Sequence, residues 1–274
     1  MKNPKFITIN LLLATLAIYL FATAPPPLDD AESEQQTIPI SLALDLIDKE
    51  NKIVRSIYTK QIVIPGIKNG LAFDENWKDG DIDSLPLPAQ FLRLIAKNLE
   101  TMPEPLSLFL GSDFPINTAN NFSELQNKHF ATMKETGHSQ FFHMTDINRY
   151  IYMTADIAIS NACVKCHNKH KDSPKTNWKL NEIMGATTWS HPDQKISLSQ
   201  MVELIYAFRT SVRLSYQRIL DKASQFKNPP VISTKWPADG YMLPSIAALQ
   251  QEINNQAAHN TLQTVILLSH YEQP

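Results

Sequence analysis

The sequence predicts an α+β fold: amphipathic helices on a small antiparallel sheet, with a helical region at the C-terminal end. Three observations carry this. Apolar residues recur at helical spacing over 41–64 and again after 196. Between these stretches, residues 139–144 and 149–155 read as two strands joined through Asp146-Ile147-Asn148, a hairpin signal. At 274 residues and 43% hydrophobic content, the chain can bury a sizeable core in one or two domains.

Residues 1–24 come first. Lys2 and Lys5 precede an uncharged, apolar run over 6–24, the pattern of an export signal. Ala22-Thr23-Ala24 resembles a cleavage site, but Pro25 follows it, and proline after the cut generally blocks the peptidase. The run approaches the ~20 residues that span a bilayer as a helix. It therefore reads as a membrane anchor in preference to a cleaved signal. Either way the rest of the chain is expected on the periplasmic side of a bacterial inner membrane, tethered or released. Residues 25–40 form a spacer, with Pro25-Pro26-Pro27 followed by Asp29, Asp30, Glu32 and Glu34.

Residues 41–64 predict a helix with Ala43, Leu46, Ile47, Val54, Ile57, Tyr58 and Ile62 on one face, stopped by Pro65-Gly66. A loop over 65–88 follows. Pro88 opens a helix burying Phe91, Leu92, Ile95, Ala96 and Leu99. Ser123-Glu124-Leu125-Gln126 predicts a capping box, and Gly137 ends that helix. After the hairpin, residues 184–189 predict a third strand. These elements define an α+β domain over 41–193.

Residues 194–274 predict a helical extension. Leu198, Ile205, Val212, Ile219 and Phe226 are spaced seven apart, a seam interrupted by Ser215 and Lys222. Pro244 opens a second helix. The stripe is expected to pack on that second helix or on a second copy in a homodimer.

Composition narrows the function. A net charge of −2 gives no basic excess for nucleic acid. Neither GxGxxG nor GxxxxGK[ST] occurs. Two cysteines exclude a disulfide-rich scaffold. They stand in Cys163-Val164-Lys165-Cys166-His167, which is C-x-x-C-H, the attachment sequence for c-type haem. Each thiol adds to one porphyrin vinyl, and the next histidine supplies the proximal axial nitrogen. Zinc is disfavoured because no second CxxC exists. A thioredoxin-like site wants a βαβ setting with a helix after the motif, whereas His167 to Pro174 reads as loop. A structural disulfide is the remaining rival.

Residues 161–192 read NACVKCHNKHKDSPKTNWKLNEIMGATTWSHP. With Ser173-Pro174, Trp178-Lys179 and Met184-Gly185-Ala186 in that order after the CxxCH, this stretch resembles the PAS-like c-type haem domain of exported bacterial signalling proteins. Leu85-Pro86-Leu87-Pro88-Ala89 and Leu110-Gly111-Ser112 add to the resemblance. It implies a PAS-like fold with one covalent haem c, held by Cys163 and Cys166 and ligated by His167. Some members take a distal cysteine from the N-terminal helix. This chain has no third cysteine.

Distal candidates within reach in sequence are Met133, His138, His143, Met144, Met153 and His170. Met153 shares the more apolar face of its strand, and His143 shares a face with Phe141. These two lead, and an open or water-bound position stands beside them. Trp178 and Trp189 are candidate walls. The expected protein is a redox or small-gas sensor read by a partner protein, with a periplasmic electron-transfer cytochrome as the alternative. No further catalytic constellation surrounds the motif, so no enzyme activity is expected.

Overall fold

The computed structural model describes residues 13–16, 19, 37–237, 240 and 242–269; beyond 257, side chains are described only at Thr261. Residues 1–36 and 37–274 form two units. In the first, residues 13–16 and 19 are helical, and the rest of the anchor or signal segment, with most of the spacer, lies outside the described residues. Among the described residues no helix is long and apolar enough to cross a membrane.

The second unit begins with β1 (Thr37–Pro39), which leads into α1 (Ile40–Ile57). Ala43, Leu46, Ile47, Val54 and Ile57 are buried there, as their spacing requires. Pro65-Gly66 does not stop the helix. It continues through a π-helical stretch, Tyr58–Val63, into α2 (Ile64–Lys68). Pro65 sits in the first turn of α2, where a missing N–H costs least. The expected loop then holds a parallel pair, β2 (Ala72–Asp74) and β3 (Ser84–Pro86). Helix α3 (Pro88–Leu99) buries Phe91, Leu92, Ile95 and Leu99.

A strand without a sequence signal of its own follows, β4 (Ser107–Gly111). Helix α4 (Glu124–Thr136) starts at the Ser123–Gln126 capping box and ends at Gly137, whose φ of 72° is left-handed. Strands β5 (Gln140–Met144) and β6 (Arg149–Ile157) form the expected hairpin. After α5 (Asn161–Lys169) comes β7 (Ile183–His191). The sheet is antiparallel in the order β4-β7-β6-β5.

Strand alternation divides the sheet into two faces. Phe142, Met144, Ile151, Met153 and Ala186 pack with Phe130 and Met133 of α4. The other face meets α1 through polar pairs. Tyr152 donates to Asp45 at 2.6 Å, while Thr154 and the Trp189 indole both donate to the buried Asp48 at 3.0 Å.

Strand β8 (Lys195–Ser197) pairs with β1, so the two ends of the region 37–197 are joined. Helix α6 (Leu198–Ser224) then runs back across the domain. Ile205, Val212, Ile219 and Phe226 are buried in the same core as α1 and α3. Phe208 meets Trp189 edge-on at 5.7 Å. The helical region is thus part of the domain core and not an appendage beginning at 194. Its stripe is covered within one chain, so the seam needs no second copy. Ser215 does not weaken this packing, because its hydroxyl pairs with Asn98 of α3. A short parallel pair, β9 (Ile232–Ser233) and β10 (Leu243–Pro244), precedes α7 (Ile246–Ser269), which lies against α1 and α6.

Candidate functional site

The C-x-x-C-H sequence lies on α5, between the ends of β6 and β7. Ser160 caps the helix: its Oγ accepts from the Cys163 N–H at 3.4 Å and lies 3.2 Å from Cys163 Sγ. His167, Asn168 and Lys169 are helical, so the expected loop begins only at His170. Spacings of three and four put Cys163, Cys166 and His167 on one helical turn. No residue of α5 is buried. Cys163 is half-buried, Cys166 is exposed, and both thiols are free in this structure. Strands β6 and β7 are antiparallel neighbours, so the turn of cysteines does not sit in a βαβ unit.

Two groups on this turn are shifted. Partial burial of the thiol pushes Cys166 up although the residue as a whole is exposed, and the nearby Glu75 and Cys163 add to it. Burial lowers the His167 imidazole below its usual range, with His170 contributing. The histidine is therefore held neutral near pH 7, with a lone pair free for a Lewis acid.

The surroundings come from segments the sequence reading did not connect. His170 Nε2 lies 3.1 Å from Glu75 Oε2, and its Nδ1 accepts from the Asp172 N–H at 3.1 Å. Glu75 stands 95 residues earlier, and no sequence signal links the two. Asn168 makes two bonds to the Trp178 backbone, 2.9 Å to its carbonyl and 2.8 Å from its N–H. Trp178 is buried, and Lys175 Nζ lies 3.7 Å from the centre of its ring. Lys175 also pairs with Glu182. The Trp178 indole N–H is buried without a partner. Ser160 was missed, although a serine just before a helical segment is a cap signal.

The distal candidates fare differently. His143 pairs with Tyr150 at the hairpin end of β6, stacks on it at 4.4 Å and touches Asn148 Oδ1 at 3.1 Å. Ile157, at the other end of the strand near α5, lies about 23 Å along β6 from Tyr150. His143 is thus at the wrong end of the sheet. Met153 is fully buried among Phe142, Ile151 and Phe130, filling core on the α4 side. Met133 and Met144 belong to that same cluster, and His138 is exposed beyond α4. Trp189 is a core residue bonded to Asp48, so of the two tryptophans only Trp178 borders α5. Among the described residues no group of three or more His, Cys, Asp or Glu is arranged to hold a metal ion by itself.

A family model described as Tll0287-like matches residues 33–192, more than half of the chain. The chain belongs to the Tll0287-like family. The match ends one residue short of the expected boundary at 193, so α6 and α7 lie outside the Tll0287-like region although they share its core. No curated protein and no solved structure matches the chain.

Proposed function

We propose that this Tll0287-like protein carries one covalent haem c and acts as a redox or small-gas sensor read by a partner protein. Cys163 and Cys166 would hold the haem through thioethers, and His167 would be the proximal ligand. The observation that carries the reading is the single turn of α5, which offers two free thiols three residues apart beside a neutral imidazole. The donor set suits a porphyrin better than a bare ion, because a thioether pair anchors the ring and leaves one nitrogen for the iron. The exposed Ile159 and Leu180 leave apolar surface beside α5 for a large, mostly apolar group.

When bound, the haem supplies a one-electron redox centre and a site for small gases. The chain's own residues do the rest. Ser160 caps the helix that presents the thiols. Asn168 fixes the loop that holds Trp178, and the His170–Glu75 pair ties the end of α5 to the segment after β2. The basic start and apolar run over 6–24 support export, tethered to or released from the membrane. No enzymatic step is part of this reading.

Electron transfer is the second reading, and the exposure of α5 favours it, because a cofactor on an unburied helix lies close to solvent and to a docking protein. Haem staining on a denaturing gel tests attachment: retained stain is expected, and its absence from protein matured on the exported side overturns both readings. Spectra with CO or NO then separate them. Ready binding supports sensing, and an inert six-coordinate spectrum supports electron transfer.

A further inference from the structure

A groove of about 190 Å³ opens between α1, α6 and α7, away from the cysteine-bearing helix. Val54, Val212, Tyr216, Leu249 and Ile253 give it an apolar lining. The Tyr216 hydroxyl is occupied, donating to the Pro244 carbonyl at 2.8 Å. Two arginines one turn apart on α6 also line it, and they are not equivalent. Arg209 is neutralised by the buried Glu50, with its Nε and Nη2 reaching the two carboxylate oxygens at 2.8 and 2.6 Å. Thr261 donates to the same carboxylate. Arg213 is exposed and has no ion pair or side-chain hydrogen bond among the described residues.

The groove therefore joins a ring-sized, largely apolar space to one uncompensated guanidinium. We propose that it binds a small monocarboxylate with a compact apolar body, of the size and kind of benzoate. The apolar part would lie on Val54, Val212 and Leu249, with the carboxylate on Arg213. Size supports this, since an apolar cavity of roughly 150 Å³ accommodates benzene. Charge supports it too, since the planar guanidinium fork matches a carboxylate in two parallel bonds. A multiply charged anion would leave charge against the apolar lining, and a neutral ligand would gain nothing from the guanidinium. The proposal does not depend on haem.

The test is a calorimetric or NMR titration of the full chain with benzoate, benzyl alcohol and benzylamine. Benzoate should bind, and benzyl alcohol should bind at least tenfold more weakly. Benzylamine should not bind. Arg213→Gln should weaken benzoate at least tenfold and remove its preference over the alcohol. Arg213 is exposed, so that variant should fold. Gln250→Trp, on the exposed rim, should block both benzoate and benzyl alcohol. No benzoate binding at millimolar concentration, equal affinity for the alcohol, or an unchanged affinity in the Arg213→Gln variant would each overturn the proposal.

Discussion

Asn98 Nδ2 donates to Ser215 Oγ across 2.8 Å, joining α3 to α6 inside the core. Ser215 Oγ in turn donates to the Ser211 carbonyl at 2.7 Å, so the hydroxyl both accepts and donates. Ser215→Ala leaves the buried Asn98 amide with only a 3.4 Å contact to Ser211. The expected loss is about 1–3 kcal/mol, seen as a lower urea midpoint at unchanged slope. A midpoint equal to wild type would mean that the pair contributes nothing net.

Gly185 lies against the opposite strand so closely that a Cβ there would sit 2.4 Å from the Gly111 carbonyl oxygen. Backbone cannot yield as a flexible side chain does. Gly185→Ala should therefore part β4 from β7 and cost several kcal/mol, on the order of the largest single-site effects. Gly80→Ala, where the added carbon meets nothing within 4 Å, is the matched control. Equal melting temperatures for the two variants would contradict this.

His191 is 97% buried at the end of β7, where burial lowers its pKa more than Asp193 raises it, and Arg149 lowers it further. Glu104 and Glu203 line the same cleft. The unfolded chain binds this proton near pH ~6.5, whereas the folded chain binds it only at lower pH. The contribution is thus complete above that pH and is lost as pH falls through it. The destabilisation caused by His191→Asn should be largest at pH 7.5 and should shrink toward pH 5. Denaturation curves across that range would disprove the sign if the gap widened on acidification.

His167 is the one histidine on the same turn as both thiols. In haem-loaded protein, His167→Ala should move the Soret band while the stain on a denaturing gel persists. Cys163→Ala combined with Cys166→Ala should abolish the stain. A Soret band unmoved in the His167 variant would transfer the axial role to another residue, with His170 the first to examine.

Val212 is 3% exposed, and Tyr206, on the same helix, is 70% exposed. Val212→Asp should cost about 3 kcal/mol or more by burying an unpaired charge. Tyr206→Asp should be near neutral. Because the stripe is covered within the chain, light scattering should give residues 36–274 the mass of a single copy. A doubled mass that Tyr206→Asp abolishes would instead place an interface on the outer face of α6.

Much of this chain was legible from spacing alone. The apolar face of α1, the capping box at Ser123, the stop at Gly137 and the β5–β6 hairpin are local. Each is specified by residues a few positions apart, whose preferences do not depend on distant partners. The C-x-x-C-H turn was legible for the same reason. What spacing could not decide is which surfaces meet. The heptad stripe of α6 said that it must be buried, but only the closed fold shows that α1, α3 and α7 bury it, with Ser215 meeting Asn98. His143 and Met153 looked like reachable ligands because sequence distance ignores the length of a strand; β5 holds His143 at the far end of the sheet, and β6 turns Met153 into the α4 core. Glu75 beside His170, and Arg213 left unpaired where Arg209 is neutralised by Glu50, follow from contacts between segments far apart in sequence. Such contacts are set by how the layers close over one core, and no local pattern encodes them.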